Sequence, residues 1–236
     1  MHRRVLSTLF VVALVATVTA ASAATITGTV KYDGAVPKLK PINMNADPMC
    51  AKKHTKPAQS EILVLGPGNT MANIFVHVKS GLPTKTYPTP TSPVVMDQRG
   101  CRYIPHVMGV MKDQPFKVLN SDGVLHNVHA LPKVNKPFNM AMPGARKEAA
   151  KTFTKEEAIF KIKCDVHPWM SAYIAVMTHP YFDVTAKDGK FSIPDLPAGS
   201  YEIEVWHERL KTRTMKVTVA DGDTKTVDFT FSRPSK

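Results

Sequence analysis

Phe160 to Val176 read FKIKCDVHPWMSAYIAV. Strict alternation puts Phe160, Ile162 and Cys164 on one face of an extended segment and Lys161 and Lys163 on the other. After a short loop containing Pro168, Ala172, Ile174 and Val176 alternate again, so the stretch is expected to form two strands joined by a tight connection. That connection spells C-x-x-H-x-x-M through Cys164, His167 and Met170. One thiolate, one imidazole and one thioether are a donor set that suits copper in both oxidation states, whereas zinc has little use for a thioether. Such a set lacks one imidazole.

Two candidates for it stand in Asn120 to Ala130, NSDGVLHNVHA. His126 and His129 are three residues apart, so on a regular strand they face opposite sides and only one can ligate without a bulge. His126 is the expected ligand, because the amide of Asn127 beside it can hydrogen-bond the Cys164 loop and fix the thiolate.

These residues carry a resemblance. HNV at 126–128 with CDVHPWM at 164–170 resembles the type 1 blue-copper motif of cupredoxins, and the proline after the second histidine is most like amicyanin. Upstream, Tyr103, Ile104 and Pro105 through Val110, Asp113, Phe116, Val118 and Asn120 resemble the strand pair that leads to the first histidine. The resemblance spans about Cys101 to Met177. It implies that His126, Cys164 and His167 are trigonal copper ligands and that Met170 is a weak axial one. Pro132 to Phe153 has no clear counterpart in that family.

The rest of the mature chain also reads as strands. Thr25 to Tyr32, Ile74 to Val78, Phe116 and Val118, Tyr201 to Val205, Val217 and Val219, and Val227 to Phe231 all alternate. Only Arg146 to Glu157 has helix-forming composition, without an apolar stripe. The expected fold is all-β, a cupredoxin Greek-key sandwich plus a second, small sandwich. TAKDGKFSIPDLPAGSYEIEV at 185–205 resembles the carboxypeptidase regulatory-like, or transthyretin-like, β-sandwich through Asp188, Gly189, Phe191, Leu196, Pro197, Gly199 and Tyr201. That family usually opens with a G-x-V strand, which Gly28 to Val30 supplies ahead of the copper motif. The N-terminal strands are therefore expected to pair with the C-terminal ones, with a simple tandem as the alternative. The expected division is 24–94 for the N-terminal β segment with its proline-rich linker, 95–178 for the copper domain and 179–236 for the second sandwich.

Composition narrows the setting. The chain has 236 residues, 43% hydrophobic and 21% charged, with a formal net charge of +12, too apolar for disorder and too charged for a polytopic membrane protein. Met1 to Arg4 is basic, Val5 to Ala20 is free of charge, and Ala21-Ser22-Ala23 is a small-residue cleavage site, the three regions of a secretory signal peptide at 1–23. The stretch is shorter than the ~20 residues that span a bilayer, and no later segment is apolar enough to do so. Cleavage removes Arg3 and Arg4 and lowers the +12 to +10. Genomic DNA is not the expected partner of an exported, periplasmic protein, so the charge points to an acidic partner protein or surface.

Three cysteines are too few for a disulfide scaffold or for a site needing four thiolates. In an oxidising compartment, with Cys164 assigned to copper, Cys50 and Cys101 are the expected disulfide. A second metal site from Cys50, His54, Cys101 and His106 competes with that pairing. Met108, Met111, Met140 and Met142 read as core filler, or as a rim that hands over Cu(I). The leading expectation is a non-enzymatic electron carrier with one type 1 copper. Its redox partner would be a c-type cytochrome or a dehydrogenase, docking on an apolar surface near His167, Pro168 and Trp169. A copper-delivery protein, or an envelope interaction module with structural copper or none, is the alternative.

Overall fold

The structure is a computed structural model that describes residues 22–233; the signal-peptide reading lies almost wholly outside the described residues. It is all-β, built as two sandwiches with separate cores. Among the described residues, no helix is long and apolar enough to cross a membrane.

The first sandwich faces a five-stranded sheet against a four-stranded one. In the larger sheet the order is Val107–Met111, Ser171–Met177, Glu157–Lys163, His126–Ala130 and Phe138–Met142. In the smaller sheet it is Tyr103–Ile104, Val94–Gln98, Pro115–Asn120 and Glu148–Thr152. Alternating inward residues fill the space between them, with Phe116, Val118, Ile162, Ile174 and Tyr103 fully buried. Glu148–Thr152 falls in the stretch with helical composition, yet it pairs antiparallel with Pro115–Asn120. Edge pairing overrides local propensity there, as an exposed strand with few packing demands allows.

In the second sandwich, Ala24–Asp33 pairs antiparallel with Lys190–Leu196 and parallel with Thr224–Thr226 and Phe229–Ser232. Phe75–Ser80 lies between Phe182–Val184 and Gly199–His207, and the latter pairs with Lys211–Val219. Both N-terminal strands therefore belong to the C-terminal sandwich, and the first sandwich is inserted between Phe75–Ser80 and Phe182–Val184. Gly28 is required at its position, because a Cβ there would lie 2.0 Å from the Val227 carbonyl oxygen. The sandwiches meet through a small apolar cluster of Phe75, Val107, Ala175 and Met177.

One stretch does not follow the expected division. Within 24–94, Met44, Cys50 and Ala58 are buried in the core of the first sandwich, not the second. This strap carries a single helical turn, Pro48–Ala51, and is fastened by a Cys50–Cys101 disulfide. The bridge spans 51 residues, a loop whose closure removes about 4 kcal/mol of unfolded-chain entropy in the simplest model.

The second sandwich also carries a pH response. Burial holds the His179 ring, with His77 adding repulsion, down to about 4. Burial brings His207 to about 4 as well. Each ring accepts backbone N–H bonds at Nδ1, from Tyr181 for His179 and from Arg209 and Leu210 for His207, which requires that nitrogen to be unprotonated. Both groups are neutral when folded but take up protons near pH 6.5 when unfolded. Stability is therefore complete above pH 6.5 and falls as the pH drops towards 4, by up to about 3 kcal/mol per ring. Urea unfolding at pH 7 and pH 4.5 is expected to show this loss, and imidazole proton shifts should stay those of the neutral ring down to pH 5.

Candidate metal centre

His126 opens the strand His126–Ala130, and Cys164 follows the last residue of Glu157–Lys163. The two strands pair antiparallel, so the start of one meets the end of the other at the same edge of the sandwich. The connecting loop folds back on itself: Cys164 N–H donates to the Met170 carbonyl at 3.1 Å and Met170 N–H to the His167 carbonyl at 2.9 Å. This brings His167 and Met170 back beside Cys164, and all four side chains are buried, His126 completely.

Nδ1 of His126 lies 2.9 Å from Nδ1 of His167, and Cys164 Sγ lies 3.8 Å from the latter. The outer nitrogens are each engaged by a carboxylate. His126 Nε2 donates to Asp122 at 3.0 Å and His167 Nε2 to Asp47 at 2.9 Å. The bond from His167 holds the Asp47 carboxyl below its usual range. Burial pushes the Asp122 carboxyl up, but His126, the Cys101 and Gly100 N–H groups and Lys53 outweigh it and leave it low. Both carboxylates are thus ionised and can only accept, so each ring carries its proton on Nε2 and turns the Nδ1 lone pair inward. Two such lone pairs 2.9 Å apart repel unless a proton or a metal cation lies between them.

The thiol fits the same reading. Burial pushes the Cys164 thiol up, yet with a proton shared between the two Nδ1 atoms the His126 and His167 rings can bond the sulfur, and together with the Asn127 and His167 main chain they bring it down to about 7. Cys164, His126 and His167 each offer one donor atom, all within 4.8 Å of one another. Two imidazoles, a thiolate-forming cysteine and a buried thioether in one apolar cluster suit copper.

Asn127 holds the loop. Its Oδ1 accepts from Cys164 Sγ at 3.2 Å and from Asp165 N–H at 2.7 Å, while its Nδ2 donates to Asn139 and Asp165. His129 points away from the centre and pairs with Asp165 at 2.9 Å, half-buried at the surface.

His167 does not open onto the surface: only 2% of the residue is accessible, because Asp47 and the Cys50–Cys101 disulfide cover it. The cluster of Cys50, His54, Cys101 and His106 does not assemble, since the cysteines are bridged, His54 bonds the Gly100 carbonyl and His106 bonds Glu208. Met108, Met111, Met140 and Met142 are buried as core filler, and the alternative of a rim that hands over Cu(I) does not form. Trp169 is half-buried with its ring 5.1 Å from that of His167, and its Nε1 donates to the Cys101 carbonyl. Pro168 is exposed. The residues that sequence reasoning missed are Asp47 and Asp122. Asp122 stands four residues before His126, but Asp47 is 120 residues from its partner.

No curated protein matches the chain. Among solved structures it is similar to a Cu-containing nitrite reductase from Thermus scotoductus SA-01 (20% identity, TM-score 0.32), over 42% of this chain and only 25% of that one. It is similar to a reduced tryptophan-to-tyrosine mutant of amicyanin (18% identity, TM-score 0.33), over 43% of this chain and 98% of that one. A third similar structure is a purple cupredoxin from Nitrosopumilus maritimus (22% identity, TM-score 0.28), over 32% of this chain and 82% of that one. Residues 171–232 match the carboxypeptidase regulatory-like domain family, and the two N-terminal strands that complete that sandwich lie outside the matched residues.

Proposed function

We propose that this chain is an exported, periplasmic electron carrier that holds a single type 1 copper at His126, Cys164, His167 and Met170 and converts no substrate of its own. The observation that carries this reading is the convergence of two inward Nδ1 lone pairs on the Cys164 sulfur. When bound, copper supplies a one-electron couple. The protein's part is to keep the donors fixed while that electron comes and goes, because His126 and Cys164 sit at strand ends and the 164–170 loop is closed by its own backbone hydrogen bonds. A site that need not rearrange loses little to reorganisation.

With the His167 edge covered, Trp169 is the side chain that reaches from that ring towards the surface beside Pro168. A cavity of about 450 Å³ opens there, lined by Lys40, Arg102, Lys161 and Arg209 together with Glu61 and Glu208. The excess of cations supports an acidic redox partner, such as a c-type cytochrome or a dehydrogenase, steered to this face. The delivery reading is the weaker one, because the methionines it would use are buried.

The test is to load the protein with one equivalent of Cu(II), cycle it repeatedly with a chemical reductant and oxidant, and assay the metal in the presence of a Cu(I) acceptor. A carrier retains its copper through every cycle. Transfer of the metal to the acceptor at each reduction would contradict electron carriage and favour delivery.

A further inference from the structure

The disulfide and the two carboxylates form one unit around the histidines. Asp47 Oδ2 accepts from His167 Nε2, while its Oδ1 accepts the Met49 and Cys50 N–H groups at 2.8 and 3.3 Å. Asp122 Oδ2 accepts from His126 Nε2 and from Cys101 N–H at 2.7 Å; its Oδ1 accepts Gly100 N–H at 2.7 Å and pairs with Lys53 at 3.4 Å. Each carboxylate is therefore gripped by the backbone of one half-cystine and holds one ring. The Cys50–Cys101 bond joins the halves, with Cys50 Sγ 3.5 Å from His167 Nε2.

We propose that Asp47 and Asp122, coupled through the Cys50–Cys101 disulfide, are positioning residues that clamp both ligand histidines by their outer nitrogens. This rests on the copper reading and deepens it. A carboxylate on Nε2–H fixes the tautomer and the ring plane and raises the basicity of Nδ1, as outer-shell partners of metal-bound histidines do. Because a more basic ligand favours the higher charge, the clamp strengthens Cu(II) binding more than Cu(I) binding. A hydrogen bond that served only to bury a histidine would have no such preference. It would also not need the same arrangement on both rings, tied across one covalent link.

The test has two arms. In the copper-free protein labelled with ¹⁵N, both rings are expected to show an Nε2-bound proton that exchanges slowly with water. Asp47→Asn should speed exchange at His167 alone and Asp122→Asn at His126 alone, each by tenfold or more, while Cys50→Ala/Cys101→Ala should speed both together. Absence of a protected Nε2–H in the parent, or exchange unmoved by the aspartate changes, overturns the clamp. If the double cysteine change moves only one ring, the coupling through the disulfide is overturned. In the second arm, chelator competition should show Cu(II) bound about 10–100-fold more weakly by each Asn variant, with a smaller change for Cu(I) and hence a higher reduction potential. Equal losses for the two oxidation states would reduce the residues to structural supports. The first arm needs no metal, so a chain that bound no copper would fail the functional reading without failing the clamp. The aspartate variants keep the disulfide, so they test the clamp in a chain that retains its covalent link.

Discussion

Replacing Cys164 by serine is expected to abolish the intense visible absorption that the proposed copper site would give. The absorption expected of this site arises from charge transfer out of a thiolate, and Cys164 is the free cysteine among the described residues. Burial pushes its thiol up, but the proton shared between the His126 and His167 rings and the local main chain bring it down to about 7. A serine hydroxyl in the same place stays protonated at neutral pH and is a hard oxygen donor, a poor match for Cu(I). It can still donate to Asn127 Oδ1, which holds the loop in the parent, so the fold should survive with a loss of no more than about 2 kcal/mol. Copper affinity should fall by more than the roughly 10–100-fold that losing an outer-shell partner costs. Visible spectra and a copper competition assay on the folded variant check both parts. Retention of the parent's absorption would remove Cys164 from the site.

The second large effect separates the two histidines. His126→Ala deletes a fully buried ring, opens a cavity beside Cys164 and removes one of the hydrogen-bond donors to Asp122. Loss of the visible absorption is expected, together with about 3 kcal/mol of stability. Added imidazole should restore part of the absorption by filling the space left by the ring. His129→Ala removes a half-exposed ring whose partner, Asp165, keeps bonds from Lys163, Asn127 and Asn139. Its absorption should be unchanged and its stability within about 1 kcal/mol of the parent. The reverse pattern would place the missing imidazole at 129.

Much of this was legible in the chain. Period-two alternation located most of the strands, and the same alternation predicts that His126 and His129 face opposite ways; His126 is fully buried, while His129 is half-buried at the surface against Asp165. Gly28 and Val30 marked a strand of the C-terminal sandwich through their resemblance to the G-x-V strand that opens the carboxypeptidase regulatory-like family, and Ala24–Asp33 pairs with Lys190–Leu196. What stayed hidden depends on distance along the chain. Asp47 lies 120 residues from His167, and nothing near either residue announces the contact. Its local signs, an aspartate before a proline and a cysteine, mark only a helix cap. The covered His167 edge follows from that same strap. Arg146 to Glu157 carried no strand signal of its own, because its composition suits a helix, yet Glu148–Thr152 pairs along the edge of Pro115–Asn120.

The most direct measurement is the electronic and EPR spectrum of the protein loaded with one equivalent of Cu(II). Stoichiometric binding of one copper per chain, an intense visible charge-transfer absorption and the narrow copper hyperfine splitting that a covalent thiolate bond produces are expected. A weakly coloured protein with the wide splitting of a tetragonal nitrogen and oxygen site would contradict the type 1 reading.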